Sequence, residues 1–194
     1  ILSLGALIAK HHRAIISLPG GCLIGARPVN YHLSALKKLG MKYEIKKGYI
    51  HAISKGKLKG TNFRFSNISV GATENSIIAA CLAKGKTILK NCAIEPEIKD
   101  LTNFLKSAGA NINWIGKRTV RIIGANSSKE IKYSVMGDRI ETGTFCVAAT
   151  LAKVKATTDS QIFCVRTKVF EELADNSVTP DIEFYENDIN NILE

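Results

Sequence analysis

The sequence is poor in aromatic residues and contains no long apolar run. Phe, Trp and Tyr make up 7% of its 194 residues, so the aromatic platform on which single-stranded nucleic acids stack is not evident. No apolar run reaches the ~18–20 residues that span a bilayer. The apolar opening segment has no basic stretch before it and no small-residue cleavage site after it, which argues against a secretion signal. We therefore expect a cytoplasmic globular protein with no membrane and no nucleic-acid partner.

The five cysteines include no C-x-x-C pair. This excludes a zinc ribbon or a thioredoxin-type redox site, and the lack of a secretion signal favours a reducing compartment. Cys81 and Cys146 each lie inside an apolar stretch with helical spacing. Because a free cysteine behaves as a small apolar residue, we predict that both belong to the core.

Acidic residues are scarce in most of the chain. Residues 1–164 carry 25 Lys and Arg against 9 Asp and Glu, whereas residues 165–194 carry 2 against 8. A basic body is typical of proteins that bind an anion such as a nucleotide, a phosphate or a nucleic acid. A lysine-rich solvated surface explains most of the individual lysines equally well, so charge alone does not choose between a binding site and a soluble surface.

The chain repeats itself with a spacing of 69 residues. Each unit reads as a helix, a short strand, a loop, a second helix that ends in glycine, and two strands. Gly40 and Gly109 end the second helices, and their positions differ by 69. Lys84 and Lys153 mark equivalent points in the second unit and in a third, decayed unit. This order of helices and short strands predicts an α/β fold in which the units share one core.

Turn and cap residues support these boundaries. Pro96 suits the first turn of the helix that Gly109 ends, because Pro has no N–H and Gly adopts the left-handed conformation of a helix cap. Residues 47–48, Lys-Gly, separate two alternating stretches, which predicts a hairpin. Asp138, followed three residues later by Glu141, resembles a capping box and predicts the start of another helix.

One cysteine, Cys22, lies among glycines in "SLPGGCLIGARPV". From the residues alone its thiol has two explanations, a small buried group in a turn or a reactive group on a mobile loop. Arg27 follows five residues later, and a nearby cation lowers the pKa of a thiol. The local sequence leaves both explanations open.

Four segments together carry a family resemblance. "SLPGGCLIGARPV", "SVGATEN", "EPEI" with its helix, and "DRIETGTF" occur in this order. With them the chain resembles the UDP-N-acetylglucosamine 1-carboxyvinyltransferases, closely from residue 1 to about residue 153. The resemblance implies an inside-out α/β barrel of repeated βαβαββ units, with helices inside and sheets outside. It assigns residues 1–137, as two repeat units, to most of the loop-bearing domain that binds the UDP-sugar, and residues 138–194 to a truncated and diverged start of the second domain.

The resemblance also implies an activity and a site. Members of this family transfer enolpyruvyl from phosphoenolpyruvate to the 3′-hydroxyl of UDP-N-acetylglucosamine, the first committed step of peptidoglycan synthesis, and need neither metal nor cofactor. Cys22 matches the loop cysteine that donates a proton in this reaction. Two further stretches match segments that bind the UDP-sugar: Arg27, Pro28, Val29, Asn30 and Tyr31, and then Asn67, Ile68, Ser69 and Val70. Asn30 stands where the family has Asp, so an amide replaces a charged contact.

Other residues that the family uses are missing from this sequence. They include a Lys-Asn pair that handles phosphoenolpyruvate and the catalytic aspartate of a Pro-Thr-Asp motif. We therefore expect a fragment of an enolpyruvyl transferase that is inactive alone unless a second chain completes the site. Two alternatives stay open, the related shikimate-pathway enolpyruvyl transferase and a non-catalytic protein that binds a nucleotide sugar or another anion.

Overall fold

The computed structural model describes residues 1–20, 28–125 and 129–151. Within these ranges the chain forms five helices and seven strands. Their bounds are α1 (Ser3–His11), β1 (Arg13–Ser17), α2 (Asn30–Lys38), β2 (Met41–Lys46), β3 (Tyr49–Ser54), β4 (Asn62–Arg64), α3 (Val70–Cys81), β5 (Lys86–Lys90), α4 (Pro96–Ser107), β6 (Asn111–Gly116), β7 (Thr119–Ile123) and α5 (Arg139–Leu151). None of these helices has both the length and the apolar character that crossing a bilayer requires.

The chain divides into two units, Ile1–Met136 and Gly137–Glu194. In the second unit the described structure is α5, which begins at the predicted place. The Oδ1 atom of Asp138 accepts hydrogen bonds from the backbone N–H groups of Ile140 at 2.8 Å and Glu141 at 3.2 Å, as an N-cap aspartate does. The remainder of the predicted third repeat, residues 152–194, lies outside the described residues.

The two predicted repeats of the first unit fold alike. The first has a three-stranded sheet in the order β1-β3-β2, and the second has a four-stranded sheet in the order β4-β5-β7-β6. Strands β5, β6 and β7 thus take the places of β1, β2 and β3, and both triplets are antiparallel. Strand β4 pairs in parallel with β5. The pattern of residues did not reveal β4, because three residues are too few to show an alternation.

The hairpin predicted at residues 47–48 forms, and the two final strands of the second repeat form another. Lys47 and Gly48 have φ angles of 49° and 77°, and left-handed conformations at both central positions are typical of a tight turn that matches the twist of the strands. The second hairpin joins β6 to β7 and has an irregular register between Trp114 and Gly116. The predicted cap glycines Gly40 and Gly109 have φ angles of 107° and 97°, which confirms that each ends its helix in a conformation that favours glycine.

Helix α3 lies at the centre of the first unit and packs against α1, α2 and α4. It is therefore buried on several sides, including small polar positions such as Thr73 and Ser76. The sheets have one covered and one exposed face. In β3, Ile50 and Ala52 are buried, whereas Tyr49 and Ile53 are exposed. This placement, with helices inside and sheets outside, is the arrangement that the resemblance implies.

The cysteine prediction is confirmed for one of its two residues. Cys81 is 7% exposed, and burial raises the pKa of its thiol to about 12. Cys92, which carried no prediction, is also buried, and burial likewise raises its pKa to about 12. Cys146 is only half-buried, so the prediction of a core position is wrong for this residue. The described side chains around it on α5 are mostly exposed, because an apolar helical pattern is buried only where other elements cover it.

Candidate functional site

A pocket of about 410 Å³ opens in the first unit, beside the N-terminal ends of α2 and α3. A volume of this order suits a small organic ligand. The pocket is lined by Ile1, Leu2, Pro19, Pro28, Val29, Tyr31, His32, Ile68, Ser69 and Gly71. Five of the ten lining residues, Pro28, Val29, Tyr31, Ile68 and Ser69, belong to the two stretches that the sequence singled out.

The first stretch leads into α2. The backbone carbonyl of Val29 accepts a hydrogen bond from the N–H of Leu33 at 3.0 Å, so the helical turns begin at the pocket wall. Pro28 precedes this turn, and Asn30 is exposed at the first position of the helix. No acidic residue lies in the first turn of α2, so the positive end of the helix dipole faces the pocket without a carboxylate of its own.

The second stretch leads into α3. Ser69 is its N-cap, and its Oγ accepts a hydrogen bond from the N–H of Ala72 at 3.3 Å. The carbonyl of Ser69 also accepts from the hydroxyl of Thr73 at 2.7 Å. Val70 opens the helix and packs against the core beneath. The first turn of α3 contains no acidic residue either, and such a helix start favours negatively charged ligand groups.

A hydrogen bond joins the two stretches. The Nδ2 of Asn67 donates to the hydroxyl of Tyr31 at 2.6 Å, across 36 residues of sequence. Asn67 is exposed and Tyr31 is half-buried, so the bond lies at the rim of the pocket. The fold thereby brings together two segments that the sequence could only place on separate helices.

The pocket also contains a residue that the predicted site omitted. His32 is 7% exposed and lines the pocket. Burial lowers the pKa of His32 to about 4. Its Nδ1 lies 3.1 Å from the Nδ2 of the buried Asn75. The sequence signal for His32 is its position directly after Tyr31 on the same helix, and that position by itself favours an ordinary helix-face histidine.

Two predicted site residues, Cys22 and Arg27, lie outside the described residues. Of the others, Pro28, Val29, Tyr31, Ile68 and Ser69 line the pocket, while Asn30, Asn67 and Val70 adjoin these lining residues in sequence. Across the described parts of the chain, no group of three or more His, Cys, Asp or Glu side chains is arranged to hold a metal ion.

Comparison with known proteins gives this pocket a family context. The family profile described as EPSP synthase (3-phosphoshikimate 1-carboxyvinyltransferase) matches residues 1–167. The chain belongs to the EPSP synthase family. Among solved structures it is similar to the enolpyruvyl transferase NikO from Streptomyces tendae, with a TM-score of 0.62 and 20% sequence identity, over 76% of this chain and 35% of that chain. An EPSP synthase from Acinetobacter baumannii is similar with a TM-score of 0.58 and 17% identity, over 76% of this chain and 33% of that chain.

These structural likenesses confirm the prediction of an α/β fold of the enolpyruvyl transferase type.

Curated proteins with higher sequence identity to this chain carry another enzyme name. The UDP-N-acetylglucosamine 1-carboxyvinyltransferase of Pelagibacter ubique is 63% identical over 153 residues, which cover 79% of this chain. The protein of the same name from Rickettsia akari is 52% identical over 150 residues and 77% of this chain. The chain spans only 37% and 36% of the length of these two relatives.

Proposed function

We propose that this chain forms the loop-bearing, sugar-nucleotide-binding part of an enzyme that transfers enolpyruvyl from phosphoenolpyruvate to the 3′-hydroxyl of UDP-N-acetylglucosamine. In this proposal residues 1–137 belong to one domain and residues 138–194 begin a second. The reaction is the first committed step of peptidoglycan synthesis and takes place in the cytoplasm. Its partners are the two small-molecule substrates.

The observation that carries the proposal is the convergence of residues 28–31 and 67–70 on one pocket. Two helix starts without acidic residues face this pocket, and they provide positive electrostatic potential for the diphosphate of a sugar nucleotide. Apolar side chains such as Val29 and Ile68 line the same pocket and suit the faces of a base or sugar ring. Arg27 precedes this stretch in sequence, and its planar guanidinium is suited to bidentate hydrogen bonding with phosphate oxygens.

The proposed chemistry needs an acid and a base. The CH2 carbon of phosphoenolpyruvate gains a proton while the 3′-hydroxyl of the sugar loses its own and attacks C2. The tetrahedral adduct then loses phosphate and a proton from the new methyl group, which re-forms the carbon–carbon double bond of the enolpyruvyl group. We assign the proton donor to Cys22, whose thiol becomes more acidic next to cations. The same thiol is the proposed attachment point for fosfomycin.

Sequence identity favours the nucleotide-sugar substrate over shikimate 3-phosphate. The relatives named for UDP-N-acetylglucosamine are 52–63% identical to this chain, whereas the EPSP synthase structure is 17% identical. Calorimetric titration of the 194-residue chain tests this choice. We expect saturable binding of UDP-N-acetylglucosamine and none of shikimate 3-phosphate, with binding weakened in Tyr31→Ala and unchanged in Asn113→Ala on the exposed face of β6. Equal binding of both ligands, or preference for shikimate 3-phosphate, would contradict the proposal.

The chain alone is proposed to bind but not to turn over, because the phosphoenolpyruvate-handling and base residues of the family are absent from its sequence. Incubation with both substrates should release no phosphate above the level of a Cys22→Ser variant. Clear turnover by the chain alone would show that this part of the proposal is wrong.

The reactivity of Cys22 can be compared with that of two buried cysteines in the same chain. Burial raises the pKa of Cys81 and Cys92 to about 12, so these thiols should alkylate very slowly in the folded chain. We expect iodoacetamide to label Cys22 faster than a model thiol and far faster than either buried cysteine, as read by peptide mass spectrometry. Labelling of Cys22 no faster than a model thiol would argue against a proton-donating role.

A further inference from the structure

At the pocket wall, two buried polar residues connect three helices. His32 lies in the first turns of α2 and Asn75 in the middle of α3, and Asn75 is completely buried. Their side chains meet at 3.1 Å, between the Nδ2 of Asn75 and the Nδ1 of His32. Neither residue belongs to the predicted site, yet His32 lines the pocket.

The contacts of Asn75 fix the orientation of its amide. Its Oδ1 accepts a hydrogen bond from the N–H of Gly5 at 2.6 Å, and its Nδ2 donates to the carbonyl of Ile1 at 3.1 Å. A backbone N–H can only donate and a backbone carbonyl can only accept, so the amide cannot be reversed without losing both bonds. Asn75 therefore presents an N–H to His32.

The amide in turn fixes the state of the imidazole. Because Nδ1 of His32 faces a donor, it must accept, and the ring is then neutral with its proton on Nε2. The burial that lowers the pKa of His32 to about 4 also favours the neutral ring at physiological pH. The ring thus carries one N–H, on the atom opposite the Asn75 contact.

Gly71 leaves room beside that atom. A Cβ placed on Gly71 would lie 3.1 Å from Cε1 and 3.5 Å from Nε2 of His32. Gly71 lines the pocket in the first turn of α3. Because Gly71 has no side chain, no methyl group lies against the edge of the imidazole that carries Nε2, and both residues line the pocket.

We propose that Asn75 positions His32 as a neutral Nε2–H donor, aimed into the pocket at a hydrogen-bond acceptor of the bound sugar nucleotide. The proposal rests on the proposed function, since it names a further contact for that ligand. His32 is then a binding residue, and Asn75 is a positioning residue that acts through it. A purely structural pair would stabilise the packing of α1, α2 and α3 without affecting ligand affinity.

The tautomer is testable without any ligand. In the full 194-residue chain with 15N-labelled histidine, long-range 1H–15N spectra should show His32 with a pyrrole-type Nε2 and a pyridine-type Nδ1 near neutral pH. Asn75→Asp keeps an oxygen for the N–H of Gly5 but replaces the donor to Nδ1 with an acceptor, so Nδ1 should become protonated. An Nδ1–H tautomer in the unmodified chain, or an unchanged spectrum in Asn75→Asp, would overturn the positioning role.

The ligand contact is tested by titration with UDP-N-acetylglucosamine. Loss of one buried hydrogen bond should weaken binding roughly ten-fold in His32→Phe. Gln places an amide N–H near the position of Nε2, so His32→Gln should recover most of that loss. Ser76→Ala is the matched control, because Ser76 is a buried polar residue of α3 whose hydroxyl donates to the carbonyl of Ala72 in its own helix.

The outcomes separate the two proposals. If the unmodified chain binds UDP-N-acetylglucosamine and His32→Phe binds equally well while remaining folded by circular dichroism, the further inference is wrong and the proposed function stands. If the unmodified chain does not bind this ligand, both the proposed function and the ligand contact of His32 are overturned. If His32→Phe and Ser76→Ala lose affinity equally, the effect is structural and the binding role of His32 is rejected.

Discussion

The two repeats of the first unit have the same fold but use their second helices differently. Helices α2 and α4 occupy equivalent places, and each begins near a proline. The first turn of α2 contains no acid, whereas α4 has Glu95 as its N-cap and Glu97 in its first turn. Acidic groups at a helix start satisfy the positive end of the dipole. The second repeat therefore neutralises its helix start internally, and the first leaves its helix start available to a ligand.

The first helices of the two repeats carry residues of different size at one equivalent position. Gly5 in α1 corresponds, 69 residues later, to Glu74 in α3. Gly5 allows α1 to approach α3 so closely that its N–H reaches Asn75. Glu74 is half-buried, and burial together with the charge of Glu97 raises the pKa of its carboxyl group. One position is adapted to close packing and the other keeps an acid at some energetic cost.

The largest expected effect comes from removing the close approach of α1. A Cβ on Gly5 would overlap the backbone carbonyl and the Oδ1 of Asn75, and a backbone atom cannot move aside as a flexible side chain can. We expect Gly5→Ala to lower the free energy of unfolding by about 3 kcal/mol, measured by urea denaturation. Gly20→Ala, where a Cβ meets nothing within 4 Å, is the control. A change in Gly5→Ala no larger than in this control would contradict the packing argument.

The next effect is a pH dependence confined to the first repeat. The pKa of His32 is about 4 in the folded protein and 6.5 in the unfolded chain, so the unfolded state binds more protons between these values. The stability that the neutral ring contributes is complete above pH 6.5 and is lost as the pH falls towards 4. The loss should be at most about 3 kcal/mol. The equivalent residue of the second repeat, Leu101, cannot titrate.

The measurement is the difference between unmodified protein and His32→Gln in urea denaturation at pH 7, 5.5 and 4. We expect this difference to shrink as the pH falls, since only the unmodified protein loses the contribution of His32. A difference that stays constant with pH would mean that His32 is not held neutral.

A third prediction concerns a variant in which the start of α3 at the pocket carries an acid, as the start of α4 does. Ser69→Asp retains an N-cap acceptor for α3 but adds a negative charge to the pocket lining. We expect unchanged or slightly higher stability and an affinity for UDP-N-acetylglucosamine reduced about ten-fold, because the added charge repels a diphosphate. Asn113→Asp, on the exposed face of β6, makes the same charge change away from the pocket and should leave affinity unaltered. Equal affinities for the two variants would argue against an anionic ligand group at α3.

The smallest effect concerns Glu74. A raised pKa means that the folded state disfavours the ionised carboxylate, so this penalty is absent at low pH and appears as the pH rises through the folded pKa. Glu74→Gln should therefore stabilise the protein at pH 7, by less than about 1 kcal/mol after solvent screening. The gain should vanish near pH 4 in thermal unfolding measurements. A loss of stability at pH 7 would show that the carboxylate is favourably used.

Local sequence patterns predicted much of the fold. The hairpin at residues 47–48 and the helix ends at Gly40 and Gly109 depend on the conformational freedom of glycine and on turn geometry, which neighbouring residues express directly. Strand β4 could not be predicted in this way, because its three residues are defined by pairing with β5 rather than by their own pattern. Cys146 was predicted wrongly because apolar spacing describes a face of a helix but not what covers it.

The candidate site, like the fold, could be predicted from the sequence only in part. From residue types and their order along the chain, the resemblance assigns substrate binding to two stretches, and this assignment stays a prediction. Their convergence, the hydrogen bond between Tyr31 and Asn67, and the pairing of His32 with Asn75 could not be predicted, because they join residues 36 and 43 positions apart. Contacts at such separations depend on how the helices pack.

The sequence by itself determined the repeat, the helix and turn boundaries and the family. These are properties of local steric preference and of residue order, and they survive without knowledge of the packing. Only the tertiary structure decided that two helix starts without acids open onto one pocket, and that a histidine in the wall of this pocket has a fixed neutral tautomer. The tautomer depends on an amide whose orientation is set by the N–H of Gly5 in α1 and by the carbonyl of Ile1 just before that helix, and that arrangement exists only when α1, α2 and α3 are packed together.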